Sequence, residues 1–514
     1  MEALDLARWQ FGITTVYHFL QVPLTIGMAF LVAVMQTKAY KGGPNAKAWD
    51  KLAQFFGKLL VINFALGAAT GIVQEFQFGM NWSEYARYMG DIFGAPLAFE
   101  ALLSFFLEST FVGIWIFGRG RISPKAHLAS IWCFSIGTLT SALWIIAANS
   151  FMQDPHGAVV DPETGRAILD PEGPASAFLS VWFNTTSVLA FTHTISAALM
   201  VSATMIAALS MWWMAKSVKA GRTEEAETYW RPAAKFGLVW LVVGSLAGIL
   251  TGHFMGQHVD NFQPQKFSAM MGICETGEAQ EFTLARWGDC ENGGELAVPI
   301  PGLESFMATN HFSGPESTLV SLDEVNAELQ AKYSDPATYD EASMPSEELL
   351  AKYAEQDYRP NLAVTYYSFR VMMALGFVLL LASLAGLYFI RGNKLYNPKG
   401  KGAWWNWLIP LPFIASMFGW IMTEMGRQPF IVNPSQAAAG GGSNVVMLLT
   451  DYGLSGSVQM QSVLISLIGF TAIYTFLGVI WVILLRRYAV EGINPAAKVI
   501  EYDESAEAPI TFMY

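Results

Sequence analysis

Seven side chains able to ligate iron or carry protons fall within stretches that are otherwise apolar: His18, Glu100, Glu108, His193, Arg370, Met372 and Glu424, with Arg427 just beyond. Ionisable groups inside a membrane span are costly and mark functional sites by default. An imidazole and a thioether together make a six-coordinate haem iron suited to electron transfer. A carboxylate, or a single histidine, can leave a coordination position open for another molecule. Glu100 and Glu108 are separated by a little over two helical turns, so they share roughly one face about 12 Å apart along the axis. Two acids facing one way suit a proton relay. Each feature also has a plainer reading. A lone membrane histidine is as often a hydrogen-bonded packing residue, and Met372 is one of 23 methionines, most of which fill core gaps. Glu424 with Arg427 alone would read as an interfacial ion pair. Glu100 and Glu108 would serve an ion-coupled transporter equally well.

The elements that must position these groups are membrane helices. Of 514 residues, 53% are hydrophobic and 14% charged, against roughly 25% charged in an average soluble domain. A span needs about 20 mostly apolar residues. Nine windows qualify, at 12–36, 53–74, 94–118, 128–148, 180–213, 234–255, 364–390, 404–424 and 460–485. The sequence therefore predicts an all-α polytopic membrane protein. The first window follows Glu2, Asp5 and Arg8 in place of a basic leader, so it is expected to be a retained helix and not a cleaved signal. The odd-numbered connections carry the lysines and arginines: Lys38, Lys41, Lys47 and Lys51; Arg119, Arg121 and Lys125; Lys216, Lys219, Arg222 and Arg231; Arg391, Lys394, Lys399 and Lys401. Positive charge marks the cytoplasmic side, which places the N-terminus outside and the Arg486–Arg487 end inside. In that orientation His18, Glu100, His193, Met372 and Glu424 all lie in the outer half of the membrane, and Glu108 reaches deeper. The net charge of −12 argues against a nucleic-acid partner.

Four regions follow: spans 1–6 over residues 1–255, a long acidic external connection over 256–363, spans 7–9 over 364–485, and a cytoplasmic tail over 486–514. The connection is expected to hold a helical piece near Leu322–Tyr353. The Ala437–Ser443 run (AAAGGGS) reads as a flexible external loop. Cys274 and Cys290 both lie in the long connection, where an oxidising exterior permits a disulfide.

On these residues the chain resembles subunit I of the cytochrome bd-type quinol oxidases. The resemblance is carried by the block from Gln10 through Tyr17–His18–Phe19 to Thr25, by NFALGAATGIVQEFQFG at 63–79, and by DIFGAPLAFE at 91–100. FFLESTFVG at 105–113, SALWIIAANSFMQ at 141–153, SFRVM at 368–372 and EMGRQPF at 424–430 continue it, in order, over nearly the whole chain. It implies that His193 and Met372 are the axial ligands of a low-spin haem b, with Arg370 near that haem and its propionates. His18 and Glu424 resemble ligands of a high-spin haem b and a haem d, without indicating which takes which. Glu100 matches a further acid at that di-haem site, and Arg427 belongs to the same GRQP block as Glu424. Glu108, with Ser141 nearby, resembles part of a proton route from the cytoplasm. Lys266, in Gln263–Pro264–Gln265–Lys266, matches a quinol-associated lysine. The pattern departs where the family places a glutamate five residues later, because Met271 stands there. Either Glu275 substitutes for it or another base serves.

The activity so implied is oxidation of a membrane quinol, ubiquinol or menaquinol, near the outer face. Oxygen is then reduced to water at haem d with cytoplasmic protons, building a proton motive force without a pump. The implied partners are a second membrane subunit (subunit II) and small accessory subunits, in a bacterial cell membrane. A secondary transporter is the first rival, although no internal repeat of the kind transporters often show is visible. A haem-binding electron carrier is the second, but a carrier would need only His193 and Met372.

Overall fold

The computed structural model describes residues 2–287, 295–398, 402–435 and 443–493. Among these residues nine helices are long and apolar enough to cross a membrane. They are Ala3–Tyr40, Ala46–Met80, Ser83–Phe117, Pro124–Gln153, Pro174–Lys219, Thr223–Phe262, Leu362–Phe389, Trp404–Met425 and Met460–Glu491, called spans 1 to 9 below. Each covers one of the nine windows expected from sequence, because a helix satisfies its own backbone polar groups where no water is available to do so. The fold is all-α, and β-structure among the described residues is limited to three short two-stranded pairings and two isolated bridges.

Spans 1, 2, 5 and 6 form the centre, packing Met28, Val32, Phe56, Leu60, Ile206 and Leu238 into one buried cluster. Small residues set the approach. A Cβ added at Gly27 would meet the Ala198 carbonyl oxygen at 2.1 Å, so only glycine lets spans 1 and 5 touch backbone to backbone. Spans 3, 7, 8 and 9 are peripheral and present mostly exposed apolar surface.

Two boundaries differ from the sequence reading. The fifth window, 180–213, is divided: a short helix Pro174–Trp182 stops, and Thr185–Lys219 begins anew behind Asn184. The Asn184 side chain accepts from the Ser187 amide at 2.8 Å, an N-cap that hydropathy cannot reveal. In the long connection the helical piece is split into Leu322–Ser334 and Glu347–Glu355. Pro336 and Pro345 lie between them and break the helix, and Ser321 and Ser346 cap the two halves.

The connection folds back over the bundle. Helix Pro264–Met271 is buried at its foot, the strands Phe282–Trp287 and Glu295–Ile300 pair, and helix Leu303–Thr309 lies on span 6. Cys290 lies outside the described residues, and with it the pairing expected with Cys274. Of the Ala437–Ser443 run only Ser443 is described, and the tail beyond Ile493 also lies outside.

Candidate functional site

His18 and His193 are held by the same device. In span 1, His18 Nδ1 lies 3.0 Å from the Thr70 hydroxyl of span 2. That hydroxyl donates its own proton to Gln21 Oε1 at 2.8 Å or the Gly67 carbonyl at 2.9 Å. It therefore accepts from Nδ1–H, which leaves the Nε2 lone pair open. In span 5, His193 Nδ1 lies 3.0 Å from the Thr251 hydroxyl of span 6, which donates to the Ala247 carbonyl at 2.8 Å. The residue after each threonine is glycine, and each leaves room for the ring. A Cβ at Gly71 would sit 2.9 Å from His18 Cε1, and one at Gly252 would sit 3.2 Å from His193 Cε1. An imidazole fixed through one nitrogen and open at the other is the form that ligates a metal. The Thr70–Gly71 and Thr251–Gly252 dipeptides are the sequence signal that the reading by residue type missed.

Span 8 supplies the rest. A Cβ at Gly419 would meet the Met372 sulfur at 2.8 Å, so glycine makes space for the thioether of span 7. The next residue, Trp420, stacks on Phe19 with ring centroids 5.3 Å apart, which brings the His18 and Met372 neighbourhoods to one level. One turn on, Glu424 Oε1 accepts from Asn149 Nδ2 at 2.9 Å and Gln153 Nε2 at 3.2 Å, while Oε2 pairs with Arg427. Arg427 is 3% exposed and also donates to the Phe430 carbonyl at 3.0 Å and to that of Ile431. The carboxylate is thereby oriented from three sides. Two open imidazoles, a thioether in a glycine-made gap and an oriented carboxylate fit haem iron.

The acids of span 3 are brought together by a local irregularity. Residues Glu100–Ser104 form a π-turn. Eight regular steps at about 100° each would leave Glu100 and Glu108 about 80° apart around the helix. A wide turn absorbs one residue, which reduces the offset to about 20°. Both carboxylates then face span 4, where Ser141 donates to Glu100 at 3.0 Å. Gly137, one turn before Ser141, lies against Glu108, where a Cβ would meet the Glu108 Cγ at 3.1 Å. Ser141 thus sits with Glu100, not with Glu108 as the sequence blocks implied. Glu75 of span 2 is near enough to Glu100 to interact with it electrostatically and was overlooked.

The loop and its contacts with span 7 give Lys266 and Arg370 partners that the sequence does not reveal. Lys266 does not face the open loop: it is 3% exposed and donates to Gln153 Oε1, beside Glu424 and Arg427. Burial pushes its ammonium down to about 7, Glu424 opposing the shift and Arg427 adding to it. Arg370 has all three guanidinium nitrogens on loop carbonyls: Nε to Thr283 at 2.8 Å, Nη1 to Met270 at 2.5 Å and Nη2 to Met271 at 2.9 Å. It therefore fastens the connection to span 7. Met271 is buried, and Glu275 is exposed. At the end of span 4, Asp154 is 2% exposed and accepts from Thr186 at 2.7 Å and His156 at 2.9 Å. Burial alone would raise this carboxyl, but the hydrogen bonds from His156, His258 and Thr186 hold it well below the usual range.

The fold and these side chains define a multi-pass membrane protein whose helix bundle holds imidazole, thioether and carboxylate groups of the kinds that can ligate iron. Residues 6–493 match the family model for cytochrome bd terminal oxidase subunit I, and the chain belongs to that family. It is 36% identical to cytochrome bd ubiquinol oxidase subunit 1 of Bacillus subtilis, over 99% of this chain and 97% of the relative. It is 34% identical to cytochrome bd-II ubiquinol oxidase subunit 1 of Escherichia coli, over 95% and 96% respectively. The solved structure of bd oxidase from Geobacillus thermodenitrificans has the same fold, with a TM-score of 0.73 at 24% identity, covering 96% of this chain and 99% of that one.

Proposed function

We propose that this chain is the haem-bearing subunit of a quinol:oxygen oxidoreductase of a bacterial cell membrane, oxidising quinol near its long connection and reducing oxygen to water. The observation that carries the reading is the pair of histidines whose Nδ1 is engaged by Thr70 or Thr251 and whose Nε2 is open, with the Phe19–Trp420 stack linking the His18 and Met372 neighbourhoods. The ubiquinol oxidase names of the Bacillus subtilis and Escherichia coli relatives support quinol as the donor.

His193 Nε2 and Met372 Sδ would hold a low-spin haem b, and His18 Nε2 with a Glu424 oxygen would hold the high-spin haem b and haem d. When bound, these groups supply one-electron transfer and the oxygen chemistry. Asn149, Gln153 and Arg427 keep Glu424 in one orientation. Glu108 and Glu100 would carry protons towards the site from the basic, cytoplasmic face, with Ser141 fixing the Glu100 carboxylate. With the N-terminus outside, quinol protons leave on the side opposite to those consumed, and charge separation needs no pump. The exposed apolar faces of the peripheral spans leave room for a second membrane subunit and small accessory subunits.

The test is the reduced-minus-oxidised spectrum of the purified protein with and without carbon monoxide, alongside quinol-driven oxygen consumption. A low-spin haem b band together with a carbon-monoxide-sensitive haem d band is expected. Low-spin haem alone would reduce the chain to an electron carrier, and a haem-free protein would sink the proposal.

A further inference from the structure

One buried acid of the long connection has no part in the scheme above. Glu304 opens the helix Leu303–Thr309, is 3% exposed, and lies outside the membrane spans. Its Oε1 makes no hydrogen bond and stands 3.6 Å from Arg370 Nη2. A carboxylate kept only for structure would normally take an arginine in a close two-pronged pair. Here three of the five Arg370 N–H groups go to the carbonyls of Thr283, Met270 and Met271, and the guanidinium stays at ion-pair distance from Glu304 without a close two-pronged bond. Leaving a buried acceptor oxygen open costs about 1–3 kcal/mol, so its presence asks for a reason.

The position is rigid. Ser305, the next residue, donates to the Ser317 carbonyl at 2.7 Å and accepts from the Gln280 amide at 2.8 Å. On the side of span 6, His253 bonds Asn310 Oδ1 at 3.0 Å and stacks on Phe306. The neighbouring cluster is apolar, with Phe267, Met270, Met271, Phe282 and Phe369 buried and Met372 packed against it. A buried carboxylate oxygen without a hydrogen-bond partner, beside an apolar cluster against which Met372 packs, suits the hydroxyl of a flat apolar ring.

We propose that the Glu304 carboxylate accepts the proton of the quinol hydroxyl, the task for which the loop offers only the Met271 thioether at the expected position. In the step, the quinol O–H bond would break, its proton passing to Glu304 and one electron to the haem that His193 and Met372 would hold. Two such proton and electron losses convert the quinol to the quinone. The proposal deepens the quinol oxidase reading and rests on it.

The charged groups acting on Glu304 are Arg370 of span 7 and Arg286 of the strand Phe282–Trp287; Tyr366 bonds the Thr283 carbonyl, His253 of span 6 bonds Asn310, and Lys266 is turned towards Gln153. Burial raises the Glu304 carboxyl to about 8, against the opposing pull of Arg370 and Arg286. A base near the working pH is the most effective kind. The unprotonated, accepting form grows as pH rises, so quinol oxidation should climb through about pH 8.

The experiment compares two donors on the wild-type enzyme between pH 6 and 9: a quinol, and tetramethylphenylenediamine, which yields an electron without a proton. The quinol rate should show the rising limb and the diamine rate should lack it. Coincident profiles would overturn the proposal. In Glu304→Gln the quinol kcat should fall about a hundredfold, the usual scale for loss of a general base. The limb should vanish, while the haem spectrum and the diamine rate are kept. A Glu304→Gln enzyme with the wild-type quinol rate and limb also overturns it. Should that variant fail to assemble haem, the wild-type comparison of donors still decides. If wild-type protein carries haem but oxidises no quinol, it is the oxidase reading that has failed, not the assignment of the base.

Discussion

Replacing Gly71 by alanine inserts one methyl group against a single ring of the candidate site, that of His18. The new Cβ would stand 2.9 Å from His18 Cε1 and 3.3 Å from Nε2. Carbon atoms rest about 3.5–4.0 Å apart, so the ring must withdraw by about 0.6 Å or more. Overpacking of this kind costs about 1–3 kcal/mol. A displacement beyond about 0.5 Å also exceeds what a ligating group tolerates before its geometry is lost. Thr70→Val tests the other half of the device, since it keeps the shape and removes the oxygen that accepts from Nδ1–H. Loss of such an orienting partner lowers metal affinity about 10–100-fold. The assay is haem content per chain with the reduced-minus-oxidised spectrum, with and without carbon monoxide. Both variants should weaken the high-spin and carbon-monoxide-sensitive bands and leave the low-spin band in place. Thr251→Val should do the reverse, because Thr251 holds His193. If Thr70→Val and Thr251→Val both keep full haem content and wild-type spectra, neither histidine is an iron ligand held in this way.

Ser141→Ala removes the donor to Glu100 while leaving Glu108 against Gly137. Oxygen consumption should slow several-fold with unaltered haem bands, and an unchanged rate would remove Ser141 from the proton route. Asp154→Asn discards hydrogen bonds from Thr186 and His156 to a buried charge, worth about 2 kcal/mol at pH 7. The folded-state carboxyl lies below its ordinary value. The stabilisation is therefore present above the unfolded value of about 3.9 and is lost as pH falls towards the folded one. Thermal unfolding in detergent should show the gap between wild type and variant closing below about pH 4, and a gap that widens in acid would contradict the assignment.

How much of this was legible beforehand depends on the range of the interaction concerned. The spans follow from runs of apolar residues, because the cost of burying an unpaired backbone in lipid forces each such run into a helix regardless of its neighbours. The rare polar residues inside those runs stand out for the same reason, so His18, His193, Glu100, Glu108 and Glu424 could be picked by residue type and depth. The break before Thr185 and the split of the loop helix turn on single caps and prolines, and a hydropathy window averages over them.

What the tertiary structure alone decided is which side chains meet across helices. The Nδ1 partners of His18 and His193 come from spans 2 and 6, 52 and 58 residues away, and no local pattern encodes such a distance. The inward turn of Lys266 onto Gln153 and the commitment of Arg370 to the loop's carbonyls likewise depend on how the long connection folds back. Glu304 was invisible in an acidic segment where most carboxylates are solvated. Its burial is set by the packing of one short helix against span 6, with Arg370 of span 7 beside it, and it is that burial which gives the residue its chemistry.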